Sequence, residues 1–290
     1  MAGKRAVLIA GPTASGKSAL ALEIAERDKG TIVNADAMQI YRGMRIVTAQ
    51  PDETVQARAP HLLFGAIDPS VRFSVGAWAD AVKAIVADHN GSTPLIFVGG
   101  TGLYFESLVN GLSAVPHVPD EIVNEVEMQI RPLDRNERSD VLMKTDPELT
   151  VRIGEADFQR TVRALSVFRH TGKRLSAWQD EKLPGLLDGF EVRRHLIDPP
   201  REILNERIAT RFRLMLDTGA IDEVKALLER DLDKSLPAMR AIGVLQIAAL
   251  LKGNMDRETA IEKAVIATRQ YAKRQRTWAR GHMAEWERIG

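Results

Sequence analysis

The chain has 290 residues, 44% apolar and 27% charged, a composition ordinary for a soluble globular protein of one or two domains. It has no cysteine, which excludes disulfides, thiolate catalysis and thiolate zinc sites, and its net charge of +1 is too small to argue nucleic-acid binding from overall charge. No apolar run approaches the ~20 residues that span a bilayer, and the N-terminus runs straight into the first motif, so neither membrane contact nor a signal peptide is expected and a cytoplasmic location is.

The run Ala6-Val7-Leu8-Ile9-Ala10 predicts a strand. Gly11-Pro12-Thr13-Ala14-Ser15-Gly16-Lys17-Ser18 follows, and a helical pattern runs from Ala19 to Glu26. The spacing G-x-x-x-x-G-K-[ST] between strand and helix is that of a phosphate loop. Its glycines let successive N–H groups point inward as an anion nest, and the helix adds the positive end of its dipole. Lys17 supplies a cation for the outer phosphate oxygens and Ser18 a hydroxyl for a magnesium ion. A di- or triphosphate is the expected ligand.

Thr31 to Asp36 predicts a second strand ending in an acid. Ligands of open α/β sheets sit beyond the carboxyl ends of the strands, which places Asp36 near the phosphate loop; the plainer alternative is a turn or capping aspartate. A polar stretch leads to Pro60, and Ser74 is expected to cap a helix through Val86. Pro94 to Val98 predicts a buried parallel strand, ended by Gly99-Gly100-Thr101-Gly102. It lacks the terminal aspartate with which ordinary P-loop ATPases hold magnesium.

From Pro116 the pattern turns helical, with helices expected from Asp120 and over Asp134–Lys144, Asp146–Ile153 and Phe158–Phe168. Residues 116–181 are expected to form a helical domain inserted into an α/β core made of 1–115 and 182–290. Arg160, Arg163, Arg169, Lys173 and Arg174 lie in an acid-free stretch that suits a phosphate backbone, unless it is merely a solvated helix face. Val192 to Ile197 predicts a strand, and Asp198-Pro199-Pro200 opens a helix through Leu216 carrying Arg201, Arg207, Arg211 and Arg213. Further helices are expected over Ile221–Glu229, from Pro237 through Leu251, and from Glu258. In the last, Arg269, Lys273, Arg276 and Arg280 step by four, three and four and share one stripe, with Tyr271 and Trp278 nearby. Such a stripe suits RNA, whose bases stack on aromatic rings; a solubilising helix is the bland alternative.

These motifs resemble the tRNA dimethylallyltransferases, prenyltransferases that modify the adenosine 3′ of the anticodon. The matching stretches are Gly11–Ser18, Asp36-Ala37-Met38-Gln39-Ile40-Tyr41-Arg42-Gly43-Met44, Val98-Gly99-Gly100-Thr101-Gly102-Leu103-Tyr104, Gln159-Arg160-Thr161-Val162-Arg163-Ala164-Leu165, Arg211-Phe212, and Lys273-Arg274-Gln275-Arg276-Thr277-Trp278-Ala279-Arg280-Gly281. The resemblance implies a P-loop NTPase-like parallel sheet with the helical insertion. It implies dimethylallyl diphosphate as donor, its pyrophosphate held by the loop, and adenine N6 of a flipped base as acceptor. Asp36 would be the general base. Lys17, Thr101 and Arg211 would hold the leaving pyrophosphate, and Gln39 would touch the base. Asp36 to Gln39, Thr101, Gln159 to Arg163, Lys273, Arg276 and Arg280 would contact the tRNA anticodon stem-loop. Mg2+ is the expected cofactor and a monomer the expected state.

Asn34, Ala37, Val47, Gln50, Val123, Val244 and Leu245 depart from the family pattern; Asn34 and Ala37 stand where serines are usual. Three other readings compete: prenyl transfer to a free adenine nucleotide, a P-loop small-molecule kinase, and a non-catalytic RNA-binding protein. The first would need no insertion or basic stripe, the second an acid after an apolar strand, and the third leaves Asp36 without a role.

Overall fold

Six strands form one parallel sheet: β1 (Arg5–Ala10), β2 (Thr31–Asn34), β3 (His61–Leu62), β4 (Leu95–Gly99), β5 (Glu191–Ile197) and β6 (Glu287–Ile289), in the order β3-β2-β4-β1-β5-β6. The structure, a computed structural model, describes residues 3–154 and 156–289. Parallel strands need crossovers, and the crossovers cover both faces of the sheet. Hence β1 is buried from Ala6 on and β4 throughout, and neither has a polar face. Their side chains pack with Ala21, Ile24 and Ala25 of the helix after the phosphate loop.

Chain contacts divide the molecule into two units. One comprises 1–108 and 186–290 and the other 109–185. In the first lie the sheet and the helices α1 (Lys17–Asp28), α2 (Arg45–Thr48), α3 (Glu53–Gln56), α4 (Val75–Asp88) and α5 (Gly102–Val109). The second holds α6 (Asp120–Ile130), α7 (Arg135–Thr145), α8 (Pro147–Ile153), α9 (Phe158–Thr171) and α10 (Leu175–Gln179). The first unit resumes with α11 (Arg201–Asp217), α12 (Ala220–Leu228), α13 (Val244–Leu251) and α14 (Arg257–His282). The second unit starts and ends a few residues outside the expected 116–181. Its two ends pair with each other there, Leu183 N–H donating to the Leu112 carbonyl at 2.9 Å beside a bridge between Ser113 and Lys182.

Local signals placed the helix starts. Ser74 caps α4 by accepting from Ala77 N–H at 3.1 Å, and Asp134 with Glu137 forms a reciprocal capping box on α7. Asp146 caps α8 and is buried because its second carboxylate oxygen accepts from Ser176 N–H at 2.9 Å. Two strands had no sequence signal: β3 is two residues long, and β6 is too short for alternation to show. The single helix expected after Pro237 is instead a 3-10 turn, Ala238–Arg240, followed by α13. The break falls at Gly243, whose φ of +101° favours glycine and where a Cβ would lie 2.6 Å from Val47 Cγ2. Among the described residues, no helix is long and apolar enough to cross a membrane.

The loops after β1, β2 and β4 emerge at one edge of the sheet. β2 and β4 come together tightly there: Ala35 N–H donates to the Val98 carbonyl at 2.8 Å, and Thr101 N–H to the Ala35 carbonyl at 3.2 Å. Only glycine fits at position 99, where a Cβ would overlap the Ala35 carbonyl. Trp78, fully buried on α4, braces the same corner. Its Nε1 donates to the Asn34 carbonyl at 2.9 Å, and its ring stacks on Tyr104 at 4.2 Å.

Candidate functional site

The phosphate loop wraps from β1 into α1 with Gly16 at φ +100°. Lys17 is buried at the start of α1, and its Nζ donates to the Pro12 carbonyl at 3.1 Å. Burial pulls its ammonium down to about 8; the Asp36 carboxylate opposes that shift and the Arg211 guanidinium adds to it. Arg207 and Arg211, one turn apart on α11, both reach the loop. Arg207 Nη1 donates to the Ser15 carbonyl at 3.3 Å and Arg211 Nη2 to Thr13 Oγ1 at 3.1 Å. Burial also lowers the Arg211 pKa from its ordinary value, with Asp36 pulling the other way. Two desolvated cations beside the phosphate loop suit an anion, because a bound anion restores the interactions that burial removed.

Asp36 lies just beyond β2, half-buried. The fully buried Asn34 fixes its backbone: Asp36 N–H donates to Asn34 Oδ1 at 2.8 Å, and Asn34 Nδ2 donates to the carbonyls of Asp36 at 2.9 Å and Leu63 at 3.0 Å. Asp36 Oδ1 accepts from Met38 N–H at 3.0 Å, and Oδ2 has no partner among the described residues. Thr101 Oγ1 accepts from Ala37 N–H at 2.9 Å, which joins the loops after β2 and β4. Thr13, Lys17, Ser18, Asp36, Ala37, Met38, Gln39 and Arg211 line one open cavity of about 1080 Å3. A smaller space of about 230 Å3 opens on Thr101, Tyr271 and Trp278. The large cavity can hold a diphosphate at one end and set a carboxylate oxygen near whatever is attached to it.

Gln275 stands in one of the matching stretches, but the sequence assigns it no role. Its Oε1 accepts from Thr13 N–H at 3.0 Å and its Nε2 donates to the Gly100 carbonyl at 3.0 Å, so α14 latches the loops after β1 and β4 together. The aromatic residues beside the basic stripe, Tyr271 and Trp278, are only partly exposed. Tyr271, Gln275 and Trp278 share the inward face of α14; Tyr271 lines both cavities, and Trp278 abuts Gly102 and stacks on His282 at 4.2 Å. Burial, with Asp36 nearby, raises the Tyr271 phenol above its ordinary range. On the outer stripe Arg269, Lys273 and Arg280 are exposed, while Arg276 Nε lies 2.7 Å from Asp198 Oδ1.

In the second unit Gln159, Arg160 and Arg163 are exposed on α9. Thr161 and Val162 are buried, Thr161 Oγ1 donating to the Asp157 carbonyl at 2.8 Å and Val162 packing on Val126 and Ile130. Those two face the unit's own core and offer nothing to a partner. Ser18 is exposed and shares the large cavity with Asp36. Among the described residues no group of three or more His, Cys, Asp or Glu could hold a metal ion. Magnesium bound through phosphate oxygens takes only one or two protein ligands, so Ser18 with a diphosphate beside it fits that ion.

A family model described as IPP transferase matches residues 39–282, a span that begins just after Asp36. The tRNA dimethylallyltransferase of Sinorhizobium medicae (strain WSM419) is 45% identical over 287 residues, covering 98% of this chain and 94% of that protein. That of Phenylobacterium zucineum (strain HLK1) is 46% identical over 283 residues, covering 97% and 91%. Among solved structures, the full-length tRNA isopentenylpyrophosphate transferase of Bacillus halodurans superposes with a TM-score of 0.69 at 30% identity, over 99% of this chain and 89% of that one. A eukaryotic dimethylallyltransferase acting on tRNA superposes at 0.78 with 26% identity, over 95% and 70%.

Proposed function

The chain belongs to the IPP transferase family, and on that premise we propose that it transfers a dimethylallyl group from dimethylallyl diphosphate to adenine N6, 3′ of a tRNA anticodon. The observation that carries the proposal is the large cavity, where a phosphate loop, two desolvated cations and a half-buried carboxylate face one space.

An exocyclic amine is a weak nucleophile, because its lone pair is delocalised into the ring. It reacts when held against the donor carbon, relieved of a proton and offered a stabilised leaving group. N6 bonds to the allylic C1 as the C1–O bond breaks, and the electrons of that bond leave on diphosphate. Lys17, Arg211 and the loop amides stabilise the charge that develops there. Thr101, which borders the smaller space, would offer its hydroxyl hydrogen to a diphosphate oxygen while Oγ1 still accepts from Ala37 N–H. Asp36 Oδ2, which has no partner among the described residues, takes the N6 proton. Magnesium, held by Ser18 and diphosphate oxygens, would add positive charge at the leaving group.

RNA contact follows exposure. Gln159 and Arg163 on the inserted unit and, separately, Lys273 and Arg280 on α14 are exposed side chains that would meet RNA phosphates; Arg160 is exposed too, with its Nε 3.2 Å from Asp157 Oδ2.

Incubation with labelled dimethylallyl diphosphate and either an anticodon stem-loop RNA or AMP, followed by nucleoside analysis, tests the proposal. Label is expected in the RNA adenosine; label in AMP alone would point to a free-nucleotide enzyme. Asp36→Ala should lower turnover by ~10²–10⁴-fold, with RNA affinity little changed. An equal loss of both from a folded variant would contradict the general-base role.

A further inference from the structure

Glu223 is picked out by no sequence motif, yet it reaches across the fold to the cavity wall. It stands on α12, and its carboxylate is divided between two amides: Oε1 accepts from Ile46 N–H at 2.8 Å and Oε2 from Val47 N–H at 2.7 Å, 177 and 176 residues away. These amides open α2, a single turn too short to hold itself. Bonds from an ionised carboxylate to N–H groups are among the stronger ones, so Glu223 supplies what the turn lacks.

The other end of that turn holds Gln39. Gln39 Nε2 donates to the Thr48 carbonyl at 3.0 Å and to the Ala49 carbonyl at 2.9 Å. Both amide hydrogens are consumed. Rotated by half a turn, the side chain would press Oε1 against two carbonyl oxygens, so the amide has one orientation. Gln39, Val47, Thr48 and Ala49 all line the large cavity with Asp36. Oε1 is therefore the polar atom that Gln39 offers an occupant, and it can only accept. An acceptor pairs with an exocyclic amine and repels a carbonyl oxygen at the same position.

We propose that Glu223 is a positioning residue: by fixing the turn 46–49 it keeps Gln39 acceptor-outward, and so makes the site choose a 6-amino purine over a 6-oxo purine. The inference rests on the proposed reaction. Of the two N6 hydrogens, Asp36 takes one and Gln39 Oε1 holds the other.

The test uses the full chain and two anticodon stem-loop RNAs, one with adenosine and one with inosine at the reacting position. Dissociation constants for both are measured on the parent protein, Glu223→Gln, Glu223→Asp, Gln39→Ala and the double variant Glu223→Gln/Gln39→Ala. Glutamine presents an N–H to one of the two amides, and aspartate is a methylene too short to reach both. Each Glu223 variant is expected to lower the inosine-to-adenosine Kd ratio by about ten-fold. Gln39→Ala should lower it similarly, and the double variant no further, because both act through one amide. A purely structural role would lower the unfolding temperature and leave the ratio alone. An unchanged ratio in a folded variant, or losses that add in the double variant, would overturn the proposal; should Glu223→Gln fail to fold, Glu223→Asp gives the same reading. If the parent protein transfers no prenyl group to adenosine RNA, the proposed reaction fails and takes this inference with it. If it does and the ratio stays fixed, this inference alone fails.

Discussion

Asn34→Ala should cost about 3 kcal/mol of folding stability. Asn34 is fully buried, and its amide makes three bonds, at 2.8, 2.9 and 3.0 Å, to the backbone of Asp36 and Leu63. Alanine removes all three. Each is worth ~1 kcal/mol net, water has no access to replace them, and the orphaned groups add desolvation, which gives a range of roughly 2–4 kcal/mol. Leu63 adds to the cost: its φ of +63° is a conformation that leucine avoids, and the bond to its carbonyl helps to hold it. The same bonds set the direction in which Asp36 leaves β2. Turnover should therefore fall as well, by roughly ten- to a hundred-fold, the usual penalty for a catalytic group displaced by about 1 Å. Urea unfolding reads the first effect and single-turnover prenyl transfer the second. Asn34→Ser is expected to lie between, because its hydroxyl can accept from Asp36 N–H but cannot also span to Leu63. If Asn34→Ala unfolds within about 0.5 kcal/mol of the parent, the three bonds are not what holds this corner.

Two further outcomes follow from the charges. Burial lowers Lys17 to about 8 in the free protein, so it loses its proton above that pH, while a bound diphosphate favours the proton. Donor affinity should be flat below about pH 8 and weaken up to ten-fold per unit above it; calorimetric titration that shows no change from about pH 7 to about pH 9.5 would contradict this. Lys273→Ala should lower the slope of log Kd against log salt for RNA by about one, and Arg276→Ala by less, because Asp198 already holds Arg276 at 2.7 Å. Equal changes in slope would mean that this ion pair opens when RNA binds.

The anion cradle and the strands β1, β2, β4 and β5 were legible because their causes are local. Gly11 to Ser18 owes its conformation to its own glycines and to the helix it starts, and Ala6–Ala10 and Leu95–Val98 are apolar throughout because both faces of a parallel strand are buried. The caps at Ser74, Asp134 and Asp146 bind amides two or three residues away, within reach of sequence reasoning. Distance along the chain hid the rest. Gln275 meets Thr13 across 262 residues, Glu223 meets Ile46 across 177, and nothing near either glutamine or glutamate marks its partner. On α14 the periodicity found the stripe but not its orientation: helical spacing groups Tyr271 with Trp278, and only packing against Gly102 and the phosphate loop shows that this face is turned inward. Spacing along a helix or loop is a property of the chain alone. Which surface is buried, and which amide a distant carboxylate reaches, is decided when the elements pack, because those contacts form between groups that the covalent chain keeps far apart.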